Sequence, residues 1–270
     1  HPGPNVDRKS GFLPPKFIRS NKFGTSIDVP YFHVISDNRD FTLKPKFFLN
    51  DELILQNEYR HVNKFNSHVL DFSINTPNYL SSFNDTKSHF FSSSKFDLNS
   101  KIFDNSKINL GIQKVTNDSY LDDYNIQTDI DENNVLNYKT LNSYIDYEAD
   151  NENTNLDISL AVYEDLNKNK TDRYEYIYPS INLQKNLPNI SKNLFYNLSL
   201  EQKQYETNIS EKSLINDLIY ESESNILNSG IETNHNFLLR NVNLEAKNSE
   251  KYKNETDSSL MGLLQVNADY

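Results

Sequence analysis

The strongest constraint on this chain is an alternation of apolar and polar residues with a period of two. Phe41, Leu43, Pro45, Phe47 and Leu49 fall on one face of an extended segment, and Thr42, Lys44 and Lys46 fall on the other, the pattern of a strand with one apolar side. The same period recurs at Leu70–Phe72–Ile74, Ile108–Leu110–Ile112, Leu156–Ile158–Leu160–Val162 and Leu194–Tyr196–Leu198–Leu200. Shorter runs are Leu136 with Tyr138, Ile145 with Tyr147, Ile181 with Leu183, Phe237 with Leu239, and Val242 with Leu244. Helical periodicity is weak; its best candidate is Glu211 to Tyr220, which reads equally as a loop running into a strand. Composition agrees with an all-β chain. Only 36% of residues are hydrophobic and the net charge is -11, which alone would suggest disorder, but 17 Tyr and 16 Phe are far more than a disordered chain carries.

Several classes are excluded. Without cysteine there is no disulfide framework, thiolate metal site or cysteine nucleophile. The apolar runs are far shorter than the ~20 residues of a membrane-spanning helix. An excess of 38 acidic over 27 basic residues leaves no basic footprint for nucleic acid. A β-barrel remains open, because its strands are individually weak signals. At about 20 residues per strand and connection, 270 residues supply about 12 to 14 strands.

Short polar connections such as Leu49–Asn50–Asp51 and Lys64–Phe65–Asn66 alternate with longer ones, Thr76 to Thr86, Asn117 to Asn134, Leu166 to Arg173 and Lys247 to Ser258. Short turns at one rim and long loops at the other are the habit of an outer-membrane barrel. Tyr59, Tyr79, Tyr163, Tyr174 and Tyr205 lie near strand ends, where an interfacial girdle would place them. The polar faces suit a water-filled lumen or bulk solvent equally, so pattern alone leaves a porin-like barrel and a soluble β-sandwich beside each other.

Four motifs in the first sixty residues carry a resemblance. They are Arg8, Ser10, Gly11, Phe12, Leu13 and Pro15; then Pro30 and Tyr31; then Asp40, Thr42 and Pro45; then Glu58, Tyr59 and Arg60. In order and spacing they resemble the LPS-assembly protein family LptD of Gram-negative outer membranes. Lys107 to Tyr124 and Tyr178–Pro179–Ser180–Ile181–Asn182–Leu183 look like later barrel strands of that family. The resemblance implies an all-β fold, an antiparallel transmembrane β-barrel fragment that taken alone is an open, curved sheet. Residues 1–9 would end a periplasmic β-jellyroll or its linker, and residues 10–270 would form the first part of the barrel in the cell outer membrane. It also implies transport of lipopolysaccharide rather than catalysis, with no cofactor. The implied partners are lipopolysaccharide, an LptE-type plug lipoprotein, an LptA-type periplasmic bridge and outer-membrane lipids, and no nucleic acid.

Proline has no N–H to give a strand ladder, so a seam that must open is expected to contain it. On the resemblance, Pro15 and Pro30 are expected at a lateral gate where the first and last barrel strands meet; the plainer reading of all three prolines, Pro45 included, is a bulge or strand end. Other motifs are weaker. Asp165-x-Asn167-x-Asn169 begins like a calcium loop, but Lys170 replaces its glycine and Tyr176 its bidentate Glu. The six histidines show no paired metal spacing. Asn84–Asp85–Thr86 and Asn208–Ile209–Ser210 match a glycosylation triplet that chance supplies in so Asn-rich a chain. Asp122–Asp123 and Asp129 to Glu132 read most simply as solvated loop faces, with bridging of lipid phosphates through cations as the alternative. An enzyme would need a serine and histidine oriented by Asp or Asn, and there is no Gly-x-Ser-x-Gly elbow.

Overall fold

The computed structural model describes residues 8–20, 22–49, 52–76, 86–128, 130 and 139–269. Alternating sequence becomes strand almost throughout. The strands are β1 (Gly11–Phe12), β2 (Lys16–Ser20), β3 (Gly24–Asp28), β4 (Tyr31–Ser36), β5 (Arg39–Phe48), β6 (Leu53–Val62), β7 (Asn66–Thr76), β8 (Ser88–Asp97) and β9 (Asn105–Val115). After one helical turn, α1 (Tyr120–Asp123), come β10 (Thr140–Asn151), β11 (Thr154–Asp165), β12 (Tyr174–Asn186), β13 (Leu194–Tyr205), β14 (Ile209–Glu221), β15 (Asn225–Ile226), β16 (Glu232–Lys247) and β17 (Thr256–Asp269). They form one open antiparallel sheet, with most strands paired to their neighbours in sequence. No helix among the described residues is long and apolar enough to cross a membrane.

Among the described residues the seventeen segments make fourteen passes. β1 and β2 are two pieces of one pass, β3 and β4 of another, and β15 is a two-residue appendage on β16. This agrees with the strand number expected from length. The helix-spaced leucines of Glu211 to Tyr220 lie in β14: Leu214 and Leu218 share a face and Ile215 takes the other, because cross-strand pairing with β13 and β16 outweighs a weak helical period. Of the long connections expected, 166–173 separates β11 from β12 and 247–258 separates β16 from β17, although β17 already begins at Thr256; 77–85, 129 and 131–134 lie outside the described residues, and 206–208 is tight where a long loop would continue the pattern. The expected strand at Leu136 and Tyr138, and Tyr79, lie outside the described residues.

Contacts divide the chain into two units. The first holds β1–β8, α1 and the adjoining parts of β9–β11; the second holds the rest of those strands and β12–β17. In the second unit register places Ile181, Leu183, Leu198, Leu200, Leu214, Leu218 and Leu239 on one face. The other face of β14 and β16 carries Asp217, whose carboxylate accepts two bonds from Arg240, both 2.7 Å. In the first unit Gly111 lies directly beneath the Tyr144 ring, where an added Cβ would press into the aromatic carbons. A side chain at 111 would therefore displace the tyrosine, a typical overpacking cost of about 1–3 kcal/mol.

Side-chain polarity on the strands of the first unit is largely inverted relative to a soluble protein, although the buried face also carries Phe48, Ile54 and Phe91. Along β7, Asp71 and Ser73 are 0% and 2% exposed while their neighbours Phe72 and Ile74 are 39% and 38% exposed. The register extends this inversion to the adjoining strands: Thr42, Lys46, Gln56, Glu58, Asn75 and His89 are buried, while Phe47 and Phe90 are exposed. Apolar faces are exposed at net stability only where the surroundings are apolar, whether lipid or another protein surface.

Candidate functional site: a proline-broken seam beside a plugged wall

The first three passes meet at a seam set by prolines. β1 pairs with β4 at only two positions, Gly11 with Phe32 and Phe12 with Tyr31. The chain then leaves the ladder through Leu13, Pro14 and Pro15 and resumes as β2 against β3, from Lys16 opposite Asp28. In the next pass Val29 and Pro30 separate β3 from β4, yet β5 follows both pieces in one register.

That geometry shows what each proline removes. The Leu13 N–H donates to the Pro30 carbonyl at 2.8 Å, one half of the two-bond exchange that a hydrogen-bonded antiparallel pair normally makes. Pro30 cannot return the other half. One residue earlier, the Val29 N–H donates to the Pro45 carbonyl at 3.1 Å, and Pro45 cannot reciprocate. The second pass is thus short of one ladder bond on each side, at adjacent residues. Pro45 is no strand end: it lies within β5, opposite Leu55. The resemblance singles out Pro15 and Pro30 for the gate but not Pro45, whose bond with Val29 on the β5 side emerges only from the register.

The four sequence motifs converge beside this seam. The Arg8 guanidinium donates to the Asp37 carbonyl at 3.1 Å and pairs with Asp40. Arg60 pairs with the same carboxylate at 2.8 Å and with Glu58 at 3.4 Å, and Lys44 pairs with Glu58 at 2.7 Å. Thr42 is opposite Glu58 on this buried polar face, while Tyr59, opposite Phe41 and Leu70, is on the other. The Ser10 hydroxyl oxygen accepts from the Val34 N–H at 2.9 Å, and the Phe12 and Tyr31 rings meet edge to face at 5.1 Å.

Next to the seam, the connection after β9 folds onto the buried polar wall. Asn117 starts it with an Asx turn, its Oδ1 accepting from Ser119 N and Oγ at 3.2 and 3.0 Å. Asn125, with φ +48°, ends α1 in the left-handed region. The bonds Ile126 N→Leu121 O (3.0 Å) and Asn125 N→Asp122 O (3.2 Å) are those of a Schellman stop, with Leu121 and Ile126 buried together. Tyr124 stacks on Phe23 at 4.5 Å and meets Phe48 at 5.6 Å.

Polar wall residues satisfy the incoming tyrosines. Asn75 donates to the Tyr124 hydroxyl, and Ser73 Oγ lies 2.6 Å from both the Tyr120 hydroxyl and His89 Nδ1. His89 Nε2 lies 3.1 Å from Asp71, whose carboxylate also accepts from Gln56 at 2.9 and 3.0 Å. A carboxylate only accepts, so Nε2 carries a proton towards Asp71, and Ser73 Oγ bridges Nδ1 and the Tyr120 hydroxyl. Burial raises the Tyr120 phenol above its ordinary range, as burial and then Glu52 do for Tyr124, so both hydroxyls stay protonated. Sequence reading missed this Asp–His–Ser constellation. Its signal was Asp71 and Ser73 two apart on one strand, with His89 opposite Ser73 in the hairpin. Ser73 is buried beneath Tyr120, so the three side chains join the loop to the wall.

At the edge of this loop Asp123 pairs with Lys22 at 3.0 Å and Lys87 at 3.9 Å, and accepts from Ser119 Oγ at 2.7 Å. Partial burial opposes its ionisation, but the serine bond and the two ammonium groups outweigh that and hold the carboxyl below the ordinary carboxylate range. Its stabilising effect is therefore full above the usual carboxylate value of 3.8 and is lost as pH falls further. Asp122 stays exposed, and Asp129, Glu132 and the residues between them other than Ile130 lie outside the described residues. At Asp165 the carboxylate accepts from Asn167 N at 2.9 Å, an ordinary Asx turn. No group of three or more His, Asp or Glu side chains among the described residues could hold a metal ion.

No family model matches the chain. It is 39% identical over 66 residues to the LPS-assembly protein LptD of Ralstonia nicotianae, covering 24% of this chain and 8% of that protein. Against LptD of Cupriavidus necator it is 30% identical over 122 residues, 45% of this chain and 14% of the relative. Against LptD of Legionella pneumophila it is 28% identical over 134 residues, 44% of this chain and 16% of the relative. The matched part therefore spans at most 16% of these relatives' length. Over part of its length the chain is an LptD-like sequence, similar to proteins named for LPS assembly.

Proposed function

We propose that this chain is part of the wall of an outer-membrane lipopolysaccharide translocon, which inserts lipopolysaccharide into the outer leaflet through a lateral gate at the first strands. Residues 10–270 belong to the barrel wall, and residues 1–9 lead from a periplasmic β-jellyroll. An amphiphile with several acyl chains and a long sugar must leave a polar lumen sideways into lipid. A closed barrel resists this, because each strand is held by ladders on both sides. The observation that carries the reading is the seam: two adjacent half-made ladder pairs at Val29 and Pro30, next to a first strand already broken at Pro14 and Pro15. Pro15 and Pro30 weaken the gate, with Pro45 completing the defect from β5.

The buried polar and exposed apolar faces of the first unit support a lumen on one side and outer-membrane lipid on the other. The role is transport, with no bond made or broken in the cargo. An LptA-type bridge would deliver lipopolysaccharide through the jellyroll, and an LptE-type lipoprotein would fill the lumen. Depletion of the full-length protein in its own cell is expected to reduce lipopolysaccharide at the cell surface severalfold, measured by surface labelling. Unchanged surface lipopolysaccharide overturns the reading.

A further inference from the structure

We propose that Arg8 and Ser10 are positioning residues that strap the first strand to the wall and make its N-terminal end the fixed pivot of the seam, an inference that rests on the gate reading above. The backbone ladder gives that end very little: two β1–β4 register pairs and the single bond from Leu13. Side chains supply the rest. Ser10 Oγ takes the Val34 N–H, doing with a hydroxyl what a neighbouring strand's carbonyl does in a regular ladder. Arg8 reaches past β1 to the β4–β5 turn at Asp37, to the buried Asp40 carboxylate and to the Phe32 ring at 5.6 Å.

Asp40 is only 6% exposed and is shared by Arg8 from the incoming chain and Arg60 from β6. Three segments remote in sequence are thereby tied at one carboxylate. A planar guanidinium suits this, since it can donate to a carbonyl and a carboxylate at once, whereas a lysine offers a single point of charge. The strap lies before the prolines in the chain. Motion at the seam is therefore confined to the pass beyond Leu13, and residues 8–12 stay on the wall whether the seam is open or closed.

The test uses the full-length protein assembled in membranes, with assembly checked by heat-modifiable migration in gels. Hydrogen exchange over residues 8–13 and 31–36 is compared in the parent, Arg8→Gln, Ser10→Ala and Arg8→Lys. Exchange in both segments is expected to quicken about fivefold in Arg8→Gln and Ser10→Ala, and by less in Arg8→Lys. A disulfide joining Phe12→Cys to Tyr31→Cys should restore slow exchange in Arg8→Gln without blocking lipopolysaccharide export, because a pivot does not need to open. Unchanged exchange in assembled Arg8→Gln removes the strap, whatever the prolines do. Loss of export on forming the disulfide places the moving part at the pivot itself and also overturns the inference. Failure of the gate reading gives a different outcome: quickened exchange in Arg8→Gln, with export indifferent to both the disulfide and the prolines.

Discussion

Replacing Pro15 and Pro30 together by alanine in the full-length protein is expected to tighten the seam and to lower surface lipopolysaccharide about fivefold. Each substitution returns one N–H to the chain. The alanine at 30 faces the Leu13 carbonyl, with which it forms the missing half of a pair already half made by Leu13 N→Pro30 O. With the Leu13 carbonyl as the one acceptor in place, a net gain of about 1 kcal/mol for that hydrogen bond means a fall in open seam of about fivefold, while the change at 15 frees the backbone from a fixed φ. Pro30→Ala alone should give the larger part of the effect, because its N–H is the one with an acceptor in place. Surface labelling of lipopolysaccharide is the measurement, and normal labelling in the double variant would mean that the seam is not what limits export. Pro45→Ala supplies an internal comparison, because it restores the bond to Val29 on the β5 side and stiffens the second pass without joining it to the first.

The second large effect concerns the loop on the wall. Tyr124→Ala removes a buried ring that stacks on Phe23, meets Phe48 and Tyr120, and carries the acceptor for Asn75. Loss of a buried aromatic of this size typically costs 3–5 kcal/mol, and here it falls mainly on a docking equilibrium rather than on the sheet. The expected result is a segment 116–128 cut by protease at least a hundredfold faster in intact membranes, with the strands still protected. Tyr124→Phe keeps the stacking but strands the Asn75 side-chain amide, whose carbonyl already has no partner, and should fall between the two. Equal cleavage of parent and Tyr124→Ala would mean that the loop is not held by this core.

Much of this was legible in the sequence, and the exceptions share a cause. Alternation at Phe41 to Leu49 and Leu70 to Ile74 announced two-faced strands, and length gave their number. Alternation cannot say which face is buried, since Asp71–Phe72–Ser73–Ile74 reads the same in a sandwich and in a lipid-facing wall. Only the register, which seats Asp71, Ser73 and His89 under Tyr120, decides it. The run Asp122–Asp123 dominated the reading of its loop, while Tyr120, Leu121, Tyr124 and Ile126 have too short a span to show a period. Yet those four belong to the buried core cluster, together with Phe48, Ile54, Phe91, Leu141 and Leu166. The motif residues Arg8, Asp40, Glu58 and Arg60 were recognised as a set, but that three of them meet at one carboxylate depends on hairpin pairing that no spacing encodes.

The central claim is that the exposed apolar face of the first unit meets lipid and the buried polar face meets the lumen. Nitroxide labels at Phe72→Cys, Ile74→Cys and Phe90→Cys, with Ser93→Cys for the opposite face and Asn63→Cys for a turn, test it directly in the membrane-embedded full-length protein. Labels at 72, 74 and 90 are expected to collide with dissolved oxygen far more than with a water-soluble nickel chelate, and those at 93 and 63 to reverse that order. Nickel accessibility at 72, 74 and 90 as high as at 63 would contradict it.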